Sequence, residues 1–208
     1  MKVIECDQGS TEWYAARLGL PTASEFKTII GVKKDAKDKV TRRLYMHKLA
    51  GEIMTGEPAE SYSNAHMERG KEMEGEARKC YDFLMPGAEL RRVGFIVNGP
   101  KGCSPDSLID ERGMLEIKTA LPHILIDKLL RDEFPPEHKA QCQGAMWVAE
   151  RDWIDIAVYW PKLPLFVKRA YREPAYIQQL AEAVDQFNAE LHETVEKIRA
   201  YGGQREAA

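Results

Sequence analysis

No stretch of this 208-residue chain approaches the roughly 18 consecutive apolar residues that a membrane-spanning helix needs. The opening residues Met1-Lys2-Val3-Ile4-Glu5-Cys6-Asp7 also lack the apolar stretch of a secretory signal. The expected location is therefore the cytoplasm. Cysteine is sparse: Cys6, Cys80, Cys103 and Cys142 lie far apart and form no CxxC pair. That spacing excludes a zinc-ribbon arrangement and argues for reduced, mostly buried thiols over a disulfide framework. Five scattered histidines make no HExxH or HxH, so histidine-based metal chemistry has no support. Phosphate-binding loops, dinucleotide loops and the nucleophile elbow of hydrolases are absent too. Excess positive charge is also missing. Thirty Lys and Arg against 33 Asp and Glu give a net charge of −3, so any affinity for nucleic acid must come from local patches.

What is present fits a single folded domain. Hydrophobic residues make up 44% and charged residues 30%, a balance that supports a core of ordinary size. The domain is expected to span residues 1–202, with a loose tail from 203 to 208. The richest basic run lies between Lys33 and Lys48 and includes Lys34 and Arg42. It reads either as a solvated helix face or as a DNA contact.

The first third reads as helical. Ser10 or Thr11 can cap a helix from Glu12, and Thr22 can cap another over Ala23 to Ile30. Helices follow over Val40 to Met54, ending at Gly56, and over Asn64 to Leu84, stopped by Pro86. Leu90 to Val97 reads as a strand, and two short strands flank Asp110-Glu111-Arg112-Gly113. Helices from Pro122 to Arg131 and Glu137 to Ala149, then strands at Trp153 to Tyr159 and Leu165 to Ala170, complete the middle. Ile177, Leu180, Val184, Phe187, Leu191, Val195 and Ile198 recur at intervals of three and four, the mark of a long amphipathic helix. The fold class is α/β (α+β), a central mixed β-sheet flanked by helices.

The chemistry concentrates in Cys103-Ser104-Pro105-Asp106, nine further residues, and Glu116-Ile117-Lys118. Glu116 and Lys118 are two apart on a strand, so they leave the same face. The apolar neighbours Leu108, Ile109, Met114, Leu115 and Ile117 predict a buried hairpin, where charged groups need a reason. Two carboxylates holding a divalent cation, with a lysine beside the bound water, supply one. Parity sets a geometric condition. A four-residue turn would put Asp106 opposite Ile117 and turn it away from Glu116. The site requires an odd loop, such as Asp110 to Arg112 with Ile109 opposite Gly113, or a bulge. Pro105 cannot donate to a ladder and so favours a strand start near Asp106. Phosphodiester hydrolysis matches such a site. Mg²⁺ prefers a few carboxylates and keeps several waters, and a second ion about 3.5–4 Å away would steady the leaving oxygen.

Several segments in order resemble the phage lambda exonuclease family, the YqaJ-type viral recombinases within the PD-(D/E)xK nuclease superfamily. Trp13-Tyr14-Ala15-Ala16-Arg17-Leu18-Gly19 with Thr22-Ala23-Ser24 resembles the first family motif. Gly70-Lys71-Glu72-Met73-Glu74 with Ala77-Arg78 resembles the second. Cys103 to Asp106 and Leu115 to Lys118 fit the catalytic core, and Ala140-Gln141-Cys142-Gln143 with Met146-Trp147 fits the helix after it. The resemblance implies a restriction-endonuclease-like core. It implies metal ligation by Asp106, Glu116, the Ile117 carbonyl and Glu74, with Lys118 acting on water and Gln143 and Gln141 near the scissile region. Arg17 and Ser24 would bind the 5′-phosphate, for which an arginine fork is suited. Lys33, Lys34 and Arg42 of the basic run are candidate DNA contacts on their charge.

The resemblance further implies a phage- or prophage-encoded 5′-to-3′ exonuclease in a bacterial host. It would use Mg²⁺ or Mn²⁺, two ions per site, and act on double-stranded DNA ends as a toroidal homotrimer. It would release 5′-mononucleotides and hand a 3′ overhang to a single-strand annealing protein for recombination. The competing readings are a PD-(D/E)xK endonuclease or junction resolvase, and a non-catalytic ring that binds DNA ends.

Overall fold

A computed structural model describes residues 1–30, 36–59 and 65–206. The chain opens with a short strand, β1 (Lys2–Ile4), and a helix, α1 (Thr11–Arg17). Of the two expected caps, Ser10 is the one used: its hydroxyl accepts from the Trp13 N–H at 3.2 Å. Thr22 precedes a single 3₁₀ turn (Ala23–Glu25) and α2 (Phe26–Ile30), but its hydroxyl pairs with Ser24 at 3.1 Å and caps nothing. The next helix, α3 (Ala36–Thr55), starts one turn before the Val40 read from sequence. It stops at Gly56, whose φ of 72° is a left-handed conformation that glycine adopts without a Cβ clash. Then comes α4 (Ala65–Leu84).

The segment expected as one strand, Leu90 to Val97, is two: β2 (Leu90–Arg91) and β3 (Phe95–Val97), in different sheets. The crossing happens at Gly94, where a Cβ would lie 2.3 Å from the Cys6 Sγ and 2.5 Å from the Cys6 carbonyl. The chain continues through β4 (Gly102–Cys103), β5 (Ser107–Ile109), β6 (Gly113–Thr119), α5 (Pro122–Arg131), α6 (Lys139–Ala149), β7 (Trp153–Tyr159) and β8 (Phe166–Tyr171). The last helix, α7, covers Pro174–Glu206, so 203–206 continue the helix where a tail was expected.

Two sheets result. A small antiparallel one has the order β1-β3-β4, and a mixed five-stranded one the order β2-β5-β6-β7-β8, parallel only between β6 and β7. That parallel pair requires a crossover, which α5 and α6 supply. On one face of the large sheet Leu115, Ile117 and Ala157 pack with Ala77 and Tyr81 of α4. On the other, Leu125 of α5 packs with Ile156 and Val158, and α6 joins the main core with α2, α3 and α7. Here α6 approaches closely, since a Cβ at Gly144 would meet the Phe26 ring at 2.3 Å. The stripe on α7 from Ile177 to Val195 is buried, as its periodicity predicts, and fades at Ile198. This is an α+β domain with helices on both sheet faces. No described helix is long and apolar enough to cross a membrane.

Candidate active site

The β5–β6 hairpin has the odd loop that the site demands. Ile109 pairs with Gly113, Leu108 with Met114 and Ser107 with Leu115, leaving Asp110, Glu111 and Arg112 as the turn. Asp110 takes a positive φ of 46°, and its carboxylate accepts from the Glu89 N–H at 2.9 Å. Gly113 is required sterically: a Cβ there would sit 2.2 Å from the Trp153 ring. Continued one step, this register sets Asp106 opposite Glu116. There β5 begins to leave β6, because Pro105 has no N–H to continue the ladder. The Asp106 N–H reaches the Leu115 carbonyl at 3.1 Å, one residue out of register. Its carboxylate accepts from the Ile117 N–H at 2.5 Å, standing in for the missing backbone acceptor.

Glu116, Lys118 and Gln141 complete a tight group on this face. The Glu116 side chain is 6% exposed, and its Oε1 accepts from the Lys118 ammonium at 2.7 Å and from the Gln141 amide at 2.5 Å. Burial, and after it the Glu116 charge, raises the Asp106 carboxyl well above its ordinary range; the Ile117 N–H and Lys118 oppose this only in part. Burial pulls the Lys118 ammonium down, but the Glu116 and Asp106 charges outweigh it, so its pKa ends above the ordinary value. His138, at the start of α6, is pushed down to about 4 by burial first and by the Lys118 charge second, so it stands neutral beside the site.

Glu74 approaches from α4. It pairs with Arg78 at 2.5 Å, and both Glu74 and Asp106 line a cleft of ≈ 300 Å³ bounded by Gln8, Arg92 and Val93. Arg78 also donates to the Asp106 carbonyl at 3.0 Å and to Ser107 Oγ at 3.1 Å, tying α4 to the start of β5. Among the described residues no three acidic, histidine or cysteine side chains close into a ready-made metal cluster. Two carboxylates crowded together, with Glu74 across a cleft, nevertheless fit Mg²⁺, which takes few protein ligands and keeps several waters.

The remaining expected residues divide. Gln143 does not join the group: its amide donates to the Tyr171 carbonyl at 2.8 Å and accepts from the Glu173 N–H at 2.9 Å, at the junction of β8 and α7. Gln141, two residues earlier and on another face of α6, is the glutamine that reaches Glu116. Arg17 lies over the Trp13 ring, 4.0 Å from its centroid, with burial lowering its pKa. It makes no ion pair with a described carboxylate. Ser24 is exposed and hydrogen-bonds Thr22. Arg42 is spent inside the fold, paired with Glu190 at 2.6 Å and lying over Phe187. Lys33 and Lys34 lie outside the described residues.

Sequence reading missed how the segment that carries Asp106 is held. Trp13 Nε1 donates to Ser104 Oγ at 2.8 Å and to the Gly94 carbonyl at 3.1 Å, and Gln8 donates to the Pro105 carbonyl at 3.1 Å. It also missed the buried Asp155, 1% exposed, held by Nε and Nη2 of Arg169, each at 2.8 Å, and by the Tyr81 hydroxyl of α4. None of these has a local spacing signal. Pro105 was the one hint that side chains must support this segment.

The profile of the YqaJ-like viral recombinase domain matches residues 12–152, which include Glu74, Asp106, Glu116, Lys118 and Gln141. The chain belongs to the YqaJ-like viral recombinase family. Among solved structures, the alkaline exonuclease from Laribacter hongkongensis superposes with a TM-score of 0.83 at 32% identity, over 94% of this chain and 99% of that one. The same enzyme in complex with dAMP gives the same figures. A phage-related exonuclease from Haemophilus somnus, at 17% identity and a TM-score of 0.65 over 86% of this chain and 96% of that one, shares the fold. No curated protein sequence matches. This YqaJ-like recombinase thus has the architecture of an alkaline exonuclease, and a nuclease role on DNA goes with that membership.

Proposed function

We propose that this protein is a Mg²⁺-dependent exonuclease, also served by Mn²⁺, that degrades one strand of duplex DNA from its 5′ end. It releases 5′-mononucleotides and leaves a 3′ single strand for recombination by annealing. The observation that carries this reading is the placement of Asp106 and Glu116 against each other where β5 leaves β6, with Lys118 on the same face. A relative 32% identical that is held in complex with dAMP, a deoxynucleoside monophosphate, supports mononucleotide release.

Asp106, Glu116 and the Ile117 carbonyl would hold one ion, and Glu74 would complete a second across the cleft. When bound, the ions supply an activated water and neutralise charge on the phosphate oxygens. Lys118, kept charged by its carboxylate neighbours, orients that water and stabilises the negative charge that builds on phosphorus. Gln141 fixes the rotamer of Glu116, and Arg78 holds Glu74 and the Asp106 backbone in one frame. Arg17, half-buried over Trp13 and without a carboxylate partner among the described residues, receives the 5′-phosphate, with Ser24 beside Thr22 at the rim.

The working assembly we infer is a homotrimeric ring that encloses the duplex and passes the 3′ strand to an annealing protein. Enclosure accounts for how a chain of net charge −3 retains DNA, since topology then replaces part of the charge attraction.

The test is digestion in Mg²⁺ of linear duplexes with 5′-phosphate or 5′-hydroxyl ends beside a covalently closed circle. Mononucleotides should appear from the phosphorylated ends first. Equal attack on the circle would establish an endonuclease or resolvase instead, and end binding without any release would establish a non-catalytic clamp. Sedimentation should give three copies of the 23.7 kDa chain.

A further inference from the structure

The segment Ser104-Pro105-Asp106 carries the catalytic aspartate across from the small sheet, which β4 leaves at Cys103, to the large sheet, which β5 joins at Ser107. It lacks the regular ladder that fixes a strand, so side chains from three other places hold it. Gln8, before α1, donates to the Pro105 carbonyl at 3.1 Å and to the Val93 carbonyl at 3.3 Å. Arg78 of α4 donates to the Asp106 carbonyl. Trp13 of α1 donates to Ser104 Oγ, and by the same N–H to Gly94 at the crossover between β2 and β3.

Trp13 differs from the other two because its second face is engaged. The Arg17 guanidinium lies on the indole 4.0 Å from the ring centroid, and Tyr14 packs edge-on at 5.0 Å. A cation over an indole is attracted by the negative face of the ring, more strongly as water is excluded. Among the described residues no carboxylate forms an ion pair with Arg17, and Glu52 and Glu25 act on it only through their charge. An anion bound by Arg17 therefore fixes the guanidinium over the ring, and the ring fixes the N–H that anchors Ser104, two residues before Asp106.

We propose that Trp13 is a positioning residue that couples an occupied 5′-phosphate subsite to the catalytic aspartate, so that a phosphorylated end speeds the chemical step as well as binding. This rests on the 5′-phosphate role given to Arg17 above. Gln8 and Arg78 hold the same segment with no link to Arg17, so loss of the Trp13 N–H should cost a phosphorylated substrate more than one with a 5′-hydroxyl.

The experiment measures affinity and single-turnover rate at saturating protein on duplexes with 5′-phosphate or 5′-hydroxyl ends, for wild type and Trp13→Phe. Phenylalanine keeps an aromatic face under Arg17 but has no N–H for Ser104 and Gly94. Wild type should cleave the phosphorylated end faster. Trp13→Phe should keep the binding preference for phosphate, while its rate on that end falls about tenfold or more, since small misplacements of reacting groups cost that much. Its rate on the hydroxyl end should fall by a clearly smaller factor. If Trp13→Phe does not fold, benzothienylalanine at position 13 replaces only the N–H by sulfur and gives the same readout. An unchanged ratio of rates between the two ends overturns the coupling, as does an equal fall on both. A wild-type protein indifferent to the phosphate in both affinity and rate overturns the Arg17 subsite itself, and the coupling with it.

Discussion

Replacing Lys118 by methionine keeps most of the side-chain stem and removes only the charge, so it isolates what the ammonium does. Lys118 sits 2.7 Å from Glu116, whose own side chain is 6% exposed, and Gln141 is the other described donor to that carboxylate. Loss of one transition-state donor typically lowers the chemical rate about 10²–10³-fold, or about 3–4 kcal/mol. The same change leaves Glu116 buried without its cation. Breaking a fully buried pair costs about 3–5 kcal/mol, but solvent reaches Lys118 and screens part of the interaction, so about 1–2 kcal/mol is expected. In a domain of this size that is about 3–6 °C in Tm. The two losses should respond differently to metal. Mg²⁺ beside Glu116 replaces the missing charge, so the stability deficit seen in EDTA should shrink in millimolar Mg²⁺, while the rate deficit stays. Single-turnover cleavage and thermal melts with and without Mg²⁺ read both. A Lys118→Met protein that cuts within about threefold of wild type would remove the ammonium from the transition state. A stability deficit indifferent to Mg²⁺ would remove the cation from the neighbourhood of Glu116.

Three other outcomes test separate parts of the reasoning. Burial and the Glu116 charge raise the Asp106 carboxyl, so without metal its contribution to stability is complete at low pH. That contribution is lost once pH rises above the unfolded value of about 3.9 and through the raised folded value. Asp106→Asn should therefore melt higher than wild type in EDTA at about pH 8, match it near about pH 4, and be inactive; a variant less stable than wild type at the higher pH would contradict the crowding. Arg169→Met leaves the 1%-exposed Asp155 with the Tyr81 hydroxyl as its remaining described partner; solvent reaches Arg169 and screens the pair, so the cost should be about 2 kcal/mol by urea unfolding, much of it restored by adding Asp155→Asn. A loss under about 1 kcal/mol would class the pair with surface ion pairs. Arg17→Ala should abolish the preference for 5′-phosphate and shorten the tract digested per binding event. It should lower Tm by only a few degrees, because the guanidinium gives up its place over Trp13 but no described ion pair; a variant that merely unfolds would assign Arg17 to structure.

The hairpin shows how far local rules reach. Alternation of side chains along a strand placed Glu116 and Lys118 on one face, and the same rule required an odd loop before Gly113, which the pairing of Ile109 with Gly113 supplies. Helix spacing was equally legible in the buried stripe of α7 and in α5, which begins at Pro122 as read. These rules operate within a few residues, where the chain's own geometry sets direction. They failed at Leu90 to Val97, because changing sheets at Gly94 depends on the close approach of Cys6, some 90 residues away.

The sequence by itself determined the chemical inventory: Asp106, Glu116 and Lys118 in a hairpin whose parity brings the two carboxylates together. Only the tertiary structure decided which glutamine of Gln141 and Gln143 meets Glu116, since both lie on α6 and its rotation against β6 is a matter of packing. It also decided that Arg42 goes to Glu190, and that Trp13, Gln8 and Arg78 jointly hold the segment from Ser104 to Asp106. Those contacts join residues roughly 30 to 150 apart in the chain. Their geometry is fixed by how whole elements bury their apolar faces, a cooperative outcome that no local spacing encodes.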